Sequence, residues 1–159
     1  MKLAGVLLIL TGAAWIAVRD IRSRRMNLAQ VQEMAAALYD MESDIRWKRQ
    51  TLPTAIERQR KRTLCGTYFK AVLDELDSGH SLMEAWEKAF LPFSPPKAGE
   101  CIRQVELCGD ETHLLSNLHR GADALQEIYR EMKRKQSEDE KLRLTLLFSG
   151  TGMLIILLL

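Results

Sequence analysis

The side chains best suited to chemistry here are three histidines, three cysteines and a few acid pairs, and their spacing argues against a reactive centre. His113 and His119 are six residues apart, so on a helix they face different sides, and neither has a cysteine at metal-ligand spacing. His80 is isolated from both. Cys65, Cys101 and Cys108 form no zinc-like pattern and fit small buried hydrophobes in a reducing compartment. For Cys65 to act as a nucleophile it would need a nearby histidine, and none is local. Asp74 with Glu75, and Glu138 with Asp139 and Glu140, read as solvated helix faces, because catalytic carboxylates must converge in a pocket. No GxxxxGKS/T run is present, and Gly109-Asp110-Glu111 lies between helical stretches rather than after a strand. The expectation is a chain that is not an enzyme and binds no metal or cofactor. The formal charge of +2 is too small and too mixed in sign to imply nucleic acid.

What the sequence does specify is placement. Residues 144–159 are Leu, Ile, Met and Phe apart from two Thr, one Ser and two Gly, with no charged side chain. The run is about 16 residues, short for a span, which takes about 17–25. Residues 3–18, LAGVLLILTGAAWIAV, form a second apolar run. Arg19, Arg22, Arg24 and Arg25 follow it, whereas a signal peptide carries its charge ahead. An uncleaved anchor is expected, with Trp15 at the interface. Lys133, Arg134, Lys135, Lys141 and Arg143 precede the second run. Positive flanks on the same side of both runs predict two spans and a cytoplasmic domain between them. Leu7, Ile9, Leu147, Leu154 and Leu157 are the expected membrane residues. Neither run holds an ionisable group, which argues against a transport path.

Between the runs the periodicity is helical throughout. Asn27 is a candidate cap, followed by Leu28, Val31, Ala35, Leu38, Met41 and Ile45 at spacings of three and four. Thr51 with Pro53 starts a second helix. Tyr68, Phe69, Val72, Leu73 and Leu76 make a third stripe, and Ser81 with Glu84 forms a capping box for a fourth. Trp86 is the expected core anchor. The prolines of residues 91–99 predict a loop, and residues 100–108 a short helix ended by Gly109. Leu115, Leu118, Ala122, Leu125, Tyr129 and Met132 form a heptad-like seam, for packing against the first helix or against another protomer. The fold class expected is all-α: a bundle of about five to six helices between two hydrophobic terminal helices. The division expected is an anchor with basic flank at 1–25, a cytoplasmic bundle at 26–141 and a second membrane segment at 142–159.

These features together resemble the stage III sporulation protein AB family of spore-forming Firmicutes. The resemblance rests on the opening MKLAGVLLIL, on LYDMESDIRWKRQTLPTAI, on the turn-helix with Trp86 after Gly79, and on a charged helix leading into a Gly-containing apolar end. It covers nearly the whole chain. The sequence departs from the family pattern at Thr51-Leu52-Pro53, where Thr-Pro-Leu is usual, and at Leu107-Cys108-Gly109-Asp110-Glu111. The resemblance implies a helical domain similar to the cytoplasmic domain of the platform protein of type II secretion and type IV pilus machines. It implies a place in the mother-cell membrane around the forespore, within a channel complex. The implied partners are a cytoplasmic secretion-type ATPase, other membrane subunits and the bilayer, with no catalytic residues. The candidate partner surface, read from basic clustering, is Arg46, Lys48, Arg49, Arg58, Arg60, Lys61 and Arg62. The alternative is a membrane-anchored coiled-coil scaffold, a homo-oligomer without an ATPase.

Overall fold

The computed structural model describes the helical backbone of residues 2–158 and the side-chain surroundings of residue 15 and residues 18–139. It contains α1 (Lys2–Lys48), α2 (Leu52–Gln59), α3 (Gly66–Asp77), α4 (Leu82–Phe90), α5 (Pro96–Arg103) and α6 (Glu111–Leu158). The all-α fold class is thus observed. Each helix packs on the next, and α6 closes the ring against α1, which is the most extensive contact of the molecule.

The α1–α6 pair is antiparallel with a constant register. Arg49 lies opposite Glu111 at 4.0 Å, His119 meets Glu42 at 2.9 Å, and Arg24 meets Asp139 at 2.8 Å. Each step back along α1 is matched by a step forward along α6. The stripe Val31, Met34, Leu38, Met41 and Ile45 faces Leu118, Ala122, Leu125 and Ile128, all buried. Leu115 and Tyr129 are half-buried against the same core. The seam of α6 is therefore used within the chain. Gly121 lets the interface close: a Cβ there would come within 2.6 Å of Val105 Cγ2 and 3.3 Å of Leu38 Cδ1.

Asn27 does not cap a helix. No Pro or Gly interrupts residues 13–52, and α1 runs through Asn27 as one 47-residue helix. α6 likewise continues from Glu111 for 48 residues, about 70 Å at about 1.5 Å per residue. Among the described residues no helix is long and apolar enough to cross a membrane. The two expected spans, with Leu7, Ile9, Leu147, Leu154 and Leu157, lie outside the residues whose side chains are described.

The short helices supply the aromatic core. Trp86, Phe69 and Phe90 are fully buried, with ring centroids 4.5 Å apart for Trp86–Phe90 and 5.7 Å for Phe69–Phe90. Tyr68 stacks on Phe90 at 5.5 Å. Trp86 Nε1 donates to the Ile102 carbonyl at 2.9 Å, so the ring's polar atom is satisfied while its body fills the core. The α4 capping box forms as expected: Ser81 accepts from the Glu84 N–H, and the Glu84 carboxylate accepts from the Ser81 N–H.

Two predicted boundaries shift. α5 starts at Pro96, because proline at the first helical position lacks only an N–H that would be unpaired anyway. It ends at Arg103, so Val105 and Leu107 are buried in extended chain while Cys108 is exposed. The α2–α3 turn is held from a distance by α1. The Glu33 carboxylate accepts the N–H groups of Thr63, Leu64 and Cys65 at 3.1, 2.7 and 3.0 Å. These donors belong to the turn that leads into α3 and to its N-cap residue Cys65, which makes no side-chain capping bond. Gly66 sits where a Cβ would meet the Arg60 carbonyl oxygen at 2.4 Å, which brings α2 and α3 together.

Candidate functional site: a cationic groove between α1 and α2

The end of α1, the last turn of α2 and the chain just after each helix carry the seven predicted surface cations. The fold gathers four of them, Lys48, Arg58, Lys61 and Arg62, around one groove of about 340 Å³ that also contains Asp40 and Asp44. Arg46 and Arg49 turn toward α6, the first to Glu42 at 2.7 Å and the second to Glu111. Arg60 pairs with Glu57 at 3.2 Å on the outer face of α2.

The groove is built around a buried carboxylate. Asp44 is 4 % exposed and accepts from Lys48 at 2.6 Å and Arg58 at 2.8 Å. A buried carboxylate is costly unless paired, and two cations on one carboxylate leave positive charge facing outward. Arg62 donates to Asp40 and, at 2.6 Å, to Gln59, which is itself buried. Lys61 is exposed and makes no ion pair among the described residues. Four cations thus outnumber two carboxylates, and both carboxylates are engaged from within. Arg46, Lys48, Arg49, Arg58, Arg60 and Arg62 each have an acidic partner in the chain, so the cluster is less strongly positive than its sequence suggests.

Trp47 is 77 % exposed and follows the α1 residues that line this groove. It lies one turn beyond Ser43 and Asp44 on the same side of α1. Arg49 follows with φ of 53°, a left-handed conformation for a residue other than glycine. Gln50 N–H bonds back to the Asp44 carbonyl at 3.2 Å, closing the helix end. Sequence reasoning does not single out Trp47, Asp40 or Asp44. Signals for them exist: Glu42–Arg46 and Asp44–Lys48 are i,i+4 pairs, and Trp47 lies off the apolar stripe that ends at Ile45.

Of the groups weighed for chemistry, burial pushes the Cys65 thiol up to about 12, with the Glu33 carboxylate adding to the shift. Its Sγ donates to the Gln30 carbonyl at 3.3 Å. A thiol held protonated is a poor nucleophile at neutral pH. His119 lies between Glu42 and Asp123, at 2.9 and 3.5 Å, and its ring meets Tyr39 edge-on at 5.7 Å. Hydrogen bonding to Glu42 raises its pKa, and the position is half-exposed. Among the described residues no group of acidic, histidine and cysteine side chains is arranged to hold a metal. Cys101 and Cys108, half-buried and exposed, are free.

The sequence profile of stage III sporulation protein AB matches residues 2–98, more than half of the chain. The chain belongs to the stage III sporulation protein AB family. The profile takes in α1 to α4 and the start of α5, including every residue of the groove and Trp47. A solved structure of stage III sporulation protein AB superposes with a TM-score of 0.62 at 21 % identity, covering 71 % of this chain and 98 % of that one. At that identity the likeness is one of fold. Comparison with curated proteins finds no match. A helical sporulation-family protein is thus established.

Proposed function

We propose that this protein is a non-enzymatic platform subunit of the mother cell–forespore channel complex. It spans the membrane twice and presents its bundle to a cytoplasmic secretion-type ATPase. The observation that carries this reading is the antiparallel α1–α6 pair. Both helices leave the described region side by side at Arg24 and Asp139, toward the two apolar runs of the sequence. A bundle mounted on two such helices would have the groove and Trp47 at the end remote from those runs. That is the geometry of a docking tip on a membrane-seated stalk, and the family assignment supports the sporulation setting. Domain divisions at 1–25, 26–141 and 142–159 follow in this reading as functional boundaries, although α1 and α6 are unbroken across them.

The experiment is co-purification of the full chain with the secretion-type ATPase, comparing wild type with the triple reversal R49E/R60E/K61E. These three positions leave Asp44, Asp40 and their buried partners intact. Loss of about tenfold in affinity is expected, and unchanged binding would contradict the reading. The scaffold alternative would need the α6 seam to meet another copy, yet Leu118, Ala122 and Leu125 are buried against α1. A monomer in sedimentation of the detergent-solubilised chain is therefore expected.

A further inference from the structure

We infer that Trp47 is the apolar anchor of a docking groove for an acidic protein surface, in which Lys48, Arg58, Lys61 and Arg62 meet carboxylates flanking an apolar side chain. The inference builds on the groove discussed above and names the chemistry of what it holds. A large aromatic left 77 % exposed beside half-exposed lysine and arginine side chains combines the residue types that dominate binding hot spots. The Asp44 carboxylate points inward between Lys48 and Arg58, whose half-exposed side chains keep N–H donors at the surface, while the exposed Asp40 is neutralised by Arg62. Lys61, unpaired among the described residues, adds positive charge at the mouth.

The local backbone is also costlier than it needs to be. Arg49 occupies a left-handed position that glycine would fill with less strain. In exchange, an 81 % exposed guanidinium is held two residues from Trp47, with only a 4.0 Å contact to Glu111.

Charge and position favour a protein over a lipid surface. Trp47 lies about 35 Å along α1 from Arg24 at about 1.5 Å per residue. If residues 3–18 occupy the bilayer, that exceeds the Debye length of about 8–10 Å, beyond which headgroup charge is largely screened. The occupant is therefore an acidic protein segment or face carrying an exposed apolar side chain.

The test uses the full chain in nanodiscs with W15F, which leaves Trp47 and the buried Trp86 as the tryptophans. The probe is a soluble peptide of Glu interspersed with Leu and Phe, beside its Gln-for-Glu analogue and phosphatidylserine vesicles. The acidic peptide is expected to protect Trp47 from iodide quenching. Its calorimetric affinity is expected to fall about tenfold or more in W47A and in K61E, and to weaken with added salt. Because Trp47 and Lys61 are exposed, both variants should keep the wild-type helical spectrum and melting temperature. Equal binding of the Gln analogue, undiminished binding by W47A, no binding, or protection by vesicles in place of the peptide would each overturn the inference. If the ATPase binds wild type and W47A alike, the inference falls and the platform reading stands. If the ATPase fails to bind wild type while the peptide behaves as expected, the platform reading loses its partner and the groove stands.

Discussion

The two long helices and the four short ones are held by different physics. α1 and α6 meet along an aliphatic stripe bordered by cross-helix polar bridges, Arg24–Asp139, Glu42–His119 and Tyr39–Asp123. Helices α2 to α5 are too short to be stable alone and depend on the aromatic cluster of Phe69, Trp86 and Phe90. Glu33 joins the two regions by holding the turn before α3 from α1. The long pair thus acts as a frame and the short helices as a packed side wall. The groove lies where frame and wall meet, so its shape depends on both.

That contrast can be broken most severely at Trp86. W86A removes the largest buried side chain of the wall and is expected to cost about 3–5 kcal/mol, read by denaturant unfolding. W86F should cost less because it keeps an aromatic ring in the core, and its remaining cost includes the Ile102 carbonyl's loss of its donor. Next comes the joint: E33A strips a carboxylate from three backbone N–H groups and should cost about 2 kcal/mol. Its distinguishing mark is faster amide exchange at Thr63, Leu64 and Cys65, while the α1–α6 interface stays protected.

A smaller effect of opposite sign is expected at the end of α1. R49G relieves a left-handed arginine and should stabilise by up to about 1 kcal/mol, seen as a raised denaturation midpoint.

The smallest effect concerns the frame. Hydrogen bonding to Glu42, with Asp123 adding, lifts the His119 pKa above its ordinary value of 6.5. The protonated ring is thus bound more tightly in the folded state. Its contribution is fully present below about pH 6.5 and is lost as pH rises through the higher folded-state pKa. The melting temperature should therefore fall slightly from pH 6.5 upward, and H119Q should flatten that slope. Exposure of the ring keeps the effect small.

Features set by neighbours in sequence were legible. The Ser81–Glu84 capping box needs only its own turn, and the three-four spacing of residues 115–129 identifies the buried face of α6. Trp86 in the core follows from its place in an apolar stripe. Features set across the fold were not. Arg58 and Lys48 share Asp44, and Arg62 reaches Asp40 across 22 residues, so a basic cluster in sequence becomes a paired groove in space. Glu33 holds the turn before α3 from 30 residues away, which no local motif announces. Asn27 misled because a good capping residue is also tolerated inside a helix whose faces are fixed by packing. Pro96 misled in the other direction, since a proline-rich run can still open a helix.

The central claim is that α1 and α6 form one continuous antiparallel frame from the groove to the apolar runs. It is tested most directly by R24C/D139C in the full chain, in membranes, with C108S to remove the exposed native thiol. The account predicts rapid intramolecular cross-linking by a short bismaleimide that bridges an Arg–Asp contact distance, with R24C/E127C failing to cross-link. Cross-links that form only between copies, or equally in both pairs, would contradict it.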